Sequence, residues 1–265
     1  METVNRFFGA IGRGTLETLA YLSRISSLTV QTLHWIVVAP FQGKRFSWAR
    51  TVEQMVRIGY QSIPIVSLIS FFVGLIIAMQ SAYQLKQFGA TIYVANLVAV
   101  SIIRELSPLL IAIVVTGRSG SAITAEIGTM QVSEEIDALR TMGLNPVRFL
   151  VVPRTLAMLI MLPCLTLMGD FIGIFGGYIV AMASLDITSV RYINQTISAL
   201  VFKDLLSGLV KSFFFALIIA KIGSYEGFNV AGGAEGVGKS TTKSVVTSIF
   251  LIIAADVVFT FLFYF

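Results

Sequence analysis

The sequence predicts an all-α integral membrane protein, because its composition, its long apolar runs and the placement of its charges all agree. Of the 265 residues, 56% are hydrophobic and 12% are charged, and the mean hydropathy is +0.86. Soluble domains carry about 25% charged residues, so roughly half of the usual charge is missing. The net charge of +5 would also suit nucleic-acid binding. However, Lys and Arg are scattered between apolar runs instead of gathered on one face, so we expect no nucleic-acid partner.

Five apolar runs have the length of about 20 residues that a helix needs to cross the hydrocarbon core. They cover residues 62–84, 93–116, 155–182, 204–223 and 244–264. With a cytoplasmic amino terminus, fourteen Lys and Arg fall on the cytoplasmic side, including Lys221 at the end of the fourth run, and three fall on the other side. This asymmetry predicts a carboxyl terminus on the outer side of the membrane. Residues 58–265 then form one five-span domain. Because five is a small and odd number of spans for a pathway through a membrane, we expect a homodimer.

Residues 1–57 are expected to lie on the membrane rather than in it. At 100° per residue, Arg6, Arg13, Glu17 and Arg24 share one sector of a helix over residues 5–35, and apolar side chains spread over the opposite side. No other soluble segment is available for this helix to pack against, so we interpret it as an amphipathic interfacial helix. The link over residues 40–57 is a basic, aromatic elbow suited to the headgroup region; it contains Lys44, Arg45, Trp48, Arg50 and Arg57.

The longest polar interval after residue 60 covers residues 117–146, between the second and third spans. It carries charged side chains of both signs and closes with Gly143, Asn145 and Pro146, a helix-stop pattern. A short cytoplasmic helix in this position can be covered only by the membrane surface or by a partner. We interpret the interval as the docking segment for a partner.

Residues 233–240, GAEGVGKS, match the phosphate-binding pattern G-x-x-x-x-G-K-[ST], and the run that ends at Asp256 imitates a strand with a magnesium-binding aspartate. A phosphate loop must follow a buried strand and open a helix within a parallel sheet. Here an apolar span precedes the motif, and the 25 residues after Ser240 are almost entirely another span. We therefore interpret the match as spurious and expect a glycine-rich cytoplasmic loop. One His and one Cys also argue against a metal site or a cofactor in this chain.

Five charged residues lie well away from the ends of the predicted spans: Arg104 and Glu105 near the middle of the second, Asp170 in the third, Lys211 in the fourth and Asp256 in the fifth. Buried charges of this kind are costly, so they usually line a cavity or pair with one another. Arg104, Glu105 and Lys211 could form a polar patch that meets an anionic headgroup. They could equally pair between helices, as Glu105 with Lys211 or Arg104 with Asp170. For Asp170 and Asp256 we favour a structural role.

Three segments resemble the signature of the MlaE (YrbE) family, the permease subunits of ABC lipid transporters: IIRELSPLLIAIVVTGRSGSAITAEIGTMQVSEEIDAL, MGLNPVRFLVVPR and GAEGVGKSTTKSVVTS. The similarity covers about residues 50–265. It implies a homodimer in the bacterial inner membrane, two cytoplasmic ATPase subunits that bind the ATP and magnesium, and a periplasmic ring of MCE-domain proteins. Such an assembly moves phospholipid between the inner membrane and the periplasmic carrier, and thereby contributes to outer-membrane lipid asymmetry.

The resemblance also implies roles for particular residues. Residues 133–142 would be the coupling helix that enters a groove on the ATPase, with contacts from Ser133, Glu134, Glu135, Asp137, Ala138, Leu139 and Arg140. Arg104, Glu105 and Lys211 fall where the family has polar residues in its lipid cavity. Two other classes stay open: a proton-coupled secondary transporter that uses Glu105, Asp170 and Asp256, and a membrane scaffold that anchors an MCE ring. An enzyme is disfavoured, since no nucleophile–base pair or metal site can be assembled.

Overall fold

The computed structural model describes residues 2–38, 47–185 and 187–264, without the side chains of residues 2–15, 17 and 18. Regular structure in these ranges is helical throughout, and they contain no strand. Five long helices are apolar enough to cross a membrane: Trp48–Lys86, Thr91–Val132, Val147–Ser184, Phe202–Phe228 and Gly233–Tyr264. The predicted all-α membrane fold with five spans is confirmed, although every helix is longer than the apolar run that predicted it.

Helix α1 (Glu2–Leu33) precedes the five spans and continues into a wide π-helical turn, His34–Val38. Among its described side chains, Leu28 and Thr32 are buried, whereas Leu19, Leu22 and other apolar residues are exposed. The basic residues Arg6 and Arg13 and the elbow residues Lys44 and Arg45 lie outside the described side chains. The position of α1 on a membrane surface therefore stays a prediction.

The first span begins earlier than its apolar run. Helix α2 (Trp48–Ile58) leads through a tight turn, Tyr60–Ser62, directly into α3 (Ile63–Lys86). From Trp48 onward the expected elbow is therefore helix. The cause is local, because α2 is itself amphipathic and carries a Glu53–Arg57 ion pair of 3.3 Å one turn apart, a spacing that stabilises helices.

The second span contains two π-helical turns, Ile102–Leu106 and Thr116–Gly120. They join three α-helical segments, α4 (Val94–Ser101), α5 (Ser107–Val115) and α6 (Ser121–Val132). Residues 117–132 thus extend the span, contrary to the expectation of a separate polar segment over 117–146. The buried Thr124 in this extension finds a partner inside the bundle, because its Oγ1 donates to the Gly223 carbonyl at 3.1 Å.

The separate short helix of this region is α7 (Glu135–Thr141). Glu134 adopts a left-handed conformation (φ 60°) that turns the chain sharply between α6 and α7. Gly143 (φ 74°) ends α7 in the left-handed conformation that glycine tolerates best. One side of α7, with Ile136 and Leu139, is buried against the bundle, and the other side is exposed.

The remaining helices complete the bundle. After a π-helical turn, Val147–Val151, come α8 (Val152–Ser184), the short α9 (Ser189–Ala199), α10 (Phe202–Phe228) and α11 (Gly233–Tyr264). Helix α8 packs closely along α3, since a Cβ atom on Gly74 would overlap the Gly173 backbone. Helix α10 lies between α6, α8 and α11. Connectivity puts α7 at one end of the bundle, the α7 end, and α9 at the opposite end, the α9 end.

Candidate functional site

Arg104 and Glu105 lie on the π-helical turn Ile102–Leu106, two residues before Pro108. Proline has no backbone N–H and disturbs the preceding helical turn, and π-helical turns frequently occur at functional sites. The two residues lie at the middle of the apolar run 93–116, and about a third of the way along the longer helix Thr91–Val132. They are therefore level with the start of α10 and the last turns of α11, toward the α9 end.

Lys211 on α10 is the centre of the polar contacts around this turn. Its side chain is fully buried. Its Nζ donates to Glu105 Oε2 at 2.6 Å, to Thr260 Oγ1 at 2.8 Å and to the Arg104 carbonyl at 3.3 Å. Because these three acceptors match the three protons of an ammonium group, Lys211 has no donor left for a ligand. The Glu105–Lys211 pairing that the sequence offered as one alternative is present.

Asp256 on α11 lies beside the same ammonium group. Its Oδ1 is 2.9 Å from Lys211 Nζ, close enough for an ion pair but not aligned as a hydrogen bond. Thr260, one turn further along α11, donates to Glu105 Oε1 at 3.0 Å and so connects α11 to the second span. Asp256 is therefore paired with a cation on a neighbouring helix, and its structural role stays a prediction.

Arg104 pairs with Asp204, not with Asp170 as the sequence had suggested. Arg104 Nε donates to Asp204 Oδ1 at 2.7 Å, and Asp204 Oδ2 accepts the Val201 N–H at the start of α10. The Arg104 guanidinium also lies over the Tyr264 ring, 4.7 Å from its centroid. Asp170 is buried and its Oδ1 has no hydrogen-bond partner within the described ranges, so it stands apart from this cluster.

Arg104, Glu105, Asp204, Lys211 and Asp256 form what we call the charge cluster. It contains two cations and three carboxylates, hence one net negative charge if all are ionised. The side chains of Arg104 and Glu105 are each 34% exposed, whereas those of the other three are almost completely buried. Neither terminal nitrogen of Arg104 has a hydrogen-bond partner among the described residues. A planar guanidinium of this kind binds phosphate oxygens in pairs, and the neighbouring Glu105 can attract a cation.

The exposed side of α7 carries most of the predicted partner contacts. Exposed residues are Ser133, Glu134, Glu135, Asp137, Ala138 and Arg140, whereas Leu139 faces the bundle. Asp137 and Arg140 pair at 2.8 Å on this surface, and the apolar Met142 beside them is 65% exposed. The surface thus combines acidic groups with an exposed apolar side chain.

Residues 233–240 form the first turns of α11, so the expected glycine-rich loop is wrong. The helix also lacks the shape of a phosphate-binding loop, which follows a strand. Glu235 and Lys239 pair at 2.7 Å one turn apart and stabilise the helix here. Within the described ranges, no group of three or more His, Cys, Asp or Glu is arranged to hold a metal ion.

A second ionic contact, which sequence reasoning missed, joins α1 to the α7 end of the bundle. Tyr21 donates to Glu226 Oε1 at 2.8 Å, and Lys243 Nζ lies 3.0 Å from the same oxygen. Burial first, and then the hydrogen bond to this carboxylate, raise the pKa of Tyr21 above its ordinary value, so the phenol stays a neutral donor. The only signal in the sequence was Glu226, a lone acid at the end of an apolar run.

These observations define the class as a multi-pass α-helical membrane protein with a charged, partly open cluster between its helices. Comparison with known proteins adds the family. The family model described as Permease MlaE matches residues 51–262. A probable ABC transporter permease protein of Rickettsia bellii is 37% identical over 96% of both chains. A probable ABC transporter permease protein of Synechocystis is 39% identical over 80% of this chain and 81% of its own length.

A chloroplast relative from Arabidopsis thaliana is also similar. It is the protein called TRIGALACTOSYLDIACYLGLYCEROL 1, and it is 37% identical over 86% of this chain and 65% of its own length. Because the family model covers most of the chain and full-length relatives exceed 30% identity, the chain belongs to the MlaE family of ABC transporter permeases. The resemblance predicted from the signature segments is confirmed.

Proposed function

We propose that this protein is the membrane subunit of an ABC transporter that moves phospholipid between the bacterial inner membrane and a periplasmic MCE carrier. Two copies form the pathway, and a separate cytoplasmic subunit hydrolyses the ATP. The amino terminus and α7 face the cytoplasm, and the carboxyl terminus faces the periplasm. Transport by this assembly contributes to the lipid asymmetry of the outer membrane. Family membership supports the permease role. The Arabidopsis relative is named after a galactolipid, which agrees with a lipid substrate.

The observation that carries the lipid assignment is the open side of the charge cluster. Arg104 is held by Asp204 through Nε alone, so its terminal nitrogens remain available for a phosphate group. Apolar side chains on α11, such as Val257, Val258 and Phe261, are exposed nearby and offer a surface for acyl chains. Since the cluster has a net negative charge, a headgroup with both a phosphate and an ammonium fits it better than a purely anionic one. Lys211 supports this site from behind by fixing Glu105.

The link to the ATPase is proposed to run through α7. The span Thr91–Val132 carries Arg104 near the α9 end and leads without a break to Val132, next to α7. Closing of an ATPase dimer against α7 would therefore move a helix that reaches the cluster directly. The two π-helical turns in this span are places where such a helix can bend.

The first test is a pull-down of the tagged chain from mild detergent, with proteins and lipids identified by mass spectrometry. We expect an ATPase subunit, an MCE-domain protein and phospholipid together. Charge reversal at Glu134, Glu135 and Asp137 should abolish ATPase recovery, because these residues form the exposed acidic side of α7. Reversal of Glu235, an equally exposed acid on α11, is the matched control. Retention of the ATPase by the α7 variant would refute the coupling role.

The second test separates transport from anchoring. Arg104→Ala should leave the assembly intact and greatly slow lipid transfer to the MCE protein. Unchanged transfer would favour a scaffold that only anchors the MCE ring. A chain that moves lipid without any ATPase, even after crosslinking, would favour the proton-coupled transporter, for which Glu105, Asp170 and Asp256 would be the proton-carrying groups.

A further inference from the structure

A second polar cleft lies at the α7 end, far along the second span from the charge cluster. It has a volume of about 380 Å³ and lies between the first and second spans. The apolar runs of these two spans end at this level, at residues 62 and 116, so the cleft lies at the boundary between hydrocarbon and headgroups. Its polar lining consists of Gln54, Arg57, Gln61, Arg118, Ser119 and Glu126.

Arg118 contributes an uncompensated positive charge to this cleft. Its guanidinium donates to Ser62 Oγ at 2.6 Å, to the Arg57 carbonyl at 3.1 Å and to Gln61 Oε1 at 3.1 Å. All three acceptors are neutral, and no carboxylate of the described residues lies within ion-pair distance of Arg118. The three contacts hold the guanidinium in place, so the group is preorganised.

The one carboxylate in the cleft is already neutralised. Glu126 Oε1 accepts from Arg57 at 2.8 Å, and Oε2 accepts from Arg154 at 2.7 Å. Arg57 pairs also with Glu53, at 3.3 Å. Counting Arg57, Arg118 and Arg154 against Glu53 and Glu126 leaves one net positive charge.

An independent feature of the same cleft is Ser119. It is 4% exposed, it lines the cleft, and its hydroxyl has no hydrogen-bond partner among the described residues. An unpaired buried hydroxyl costs free energy unless a ligand or water satisfies it. Together with the free charge of Arg118, this points to a ligand that accepts hydrogen bonds and carries negative charge.

We propose that this cleft is a second anion site, which binds the phosphate group of a phospholipid in the leaflet at the α7 end. Arg118 is the charged contact with the phosphate, and the Ser119 hydroxyl donates a hydrogen bond to it. The Gln61 amide nitrogen is available as a further donor. The location at the level of lipid headgroups favours a lipid phosphate over free phosphate. The site is distinct from the charge cluster and does not depend on the transport role proposed above.

The experiment is native mass spectrometry of the delipidated full chain, titrated separately with phosphatidylglycerol, with diacylglycerol of the same acyl chains and with inorganic phosphate. We expect the chain to bind one phosphatidylglycerol molecule in a way that depends on Arg118, and to bind diacylglycerol only weakly. Arg118→Gln should weaken that binding roughly ten- to a hundredfold, because it removes a charge-assisted hydrogen bond to the phosphate. Ser119→Ala should weaken the binding several-fold. Because this smaller change keeps Arg118, it still tests the site if Arg118→Gln does not fold.

Two matched variants separate this site from other effects. Arg191→Gln removes an exposed arginine from α9 at the opposite end and should bind lipid as the parent does. Arg104→Gln should keep the Arg118-dependent lipid, because the two sites are independent. Displacement by millimolar inorganic phosphate would assign the site to free phosphate instead of lipid. Equal binding by Arg118→Gln, Ser119→Ala and the parent would overturn the proposal.

Discussion

Substitution of Lys211 by methionine tests how the charge cluster is held together. Among the described residues, Lys211 is the only cation in contact with both Glu105 and Asp256, at 2.6 and 2.9 Å, and its side chain is fully buried. Lys211→Met preserves most of the side-chain volume but leaves the two carboxylates without their cation. Removing one partner of a buried ion pair costs about 3–5 kcal/mol, because the charge that remains is not compensated. In a chain of this size that corresponds to roughly 6–20 °C in the melting temperature.

The assay is thermal stability in detergent, measured as the fraction of chain that remains monodisperse on size exclusion after heating. A triple variant, Lys211→Met with Glu105→Gln and Asp256→Asn, should recover most of the lost stability, because it removes the uncompensated charges along with the cation. The amide introduced at position 105 can still bond to Thr260. Recovery of stability without recovery of lipid transfer would separate the structural role of these residues from their role at the site.

Two comparisons of melting temperature separate the effect of charge from the effect of packing at Lys211. Lys239→Met removes an exposed lysine from α11 and should change the melting temperature little, since exposed ion pairs contribute at most about 1 kcal/mol. If Lys211→Met is no less stable than Lys239→Met, the ion contacts are not what stabilises the cluster. If the triple variant is as unstable as the single one, the loss comes from packing of the lysine side chain and not from charge.

Three other outcomes are expected. Tyr21→Phe removes the hydrogen bond to Glu226 and should release α1, which limited proteolysis would detect as faster cleavage within residues 16–38. Lys221 is buried, and a threonine hydroxyl is the only hydrogen-bond partner of its ammonium group among the described residues. Lys221→Met should therefore keep or raise the melting temperature. A fall as large as that of Lys211→Met would contradict this. Gly74→Ala should destabilise by about 1–3 kcal/mol through overlap with α8, whereas Gly117→Ala, where a Cβ meets open space, should raise the melting temperature slightly.

The number of spans could be predicted from the sequence, but the lengths of the helices could not. Hydropathy finds the part of a helix that needs lipid, and it is blind to polar helix that is covered by protein. Residues 117–132 carry Thr124 and Glu126, which reduce hydropathy, yet both find partners on neighbouring helices. The same holds for residues 233–243, where an exposed ion pair supports a helix that glycines had suggested was a loop. Tertiary contacts decided the first case, and a local ion pair within the helix supports the second.

Four members of the charge cluster could be found because they are charges inside apolar runs, whereas Asp204 could not. It is the first residue of its predicted span, where a charge normally faces water and has no special meaning. Which acid pairs with Arg104 depends on the relative depth of three helices. Asp170 and Asp204 are both acids in neighbouring spans, and only the helix packing shows that Asp204 is level with Arg104. Sequence alone gives the candidate acids for such a pairing, but not the position of each acid along the axis of the helix bundle.

The two anion sites proposed here lie on one helix, and this arrangement has a mechanical consequence. Arg104 and Arg118 are separated by fourteen residues, about 21 Å along a helix, and each lies in a π-helical turn. The same helix leads on to Val132 and α7. A displacement of α7 would therefore reach the α7-end cleft first and the charge cluster second. If both turns bend, a single push at α7 can change the affinity of the two sites in sequence, and a lipid phosphate would meet Arg118 and Arg104 in different stages of one cycle.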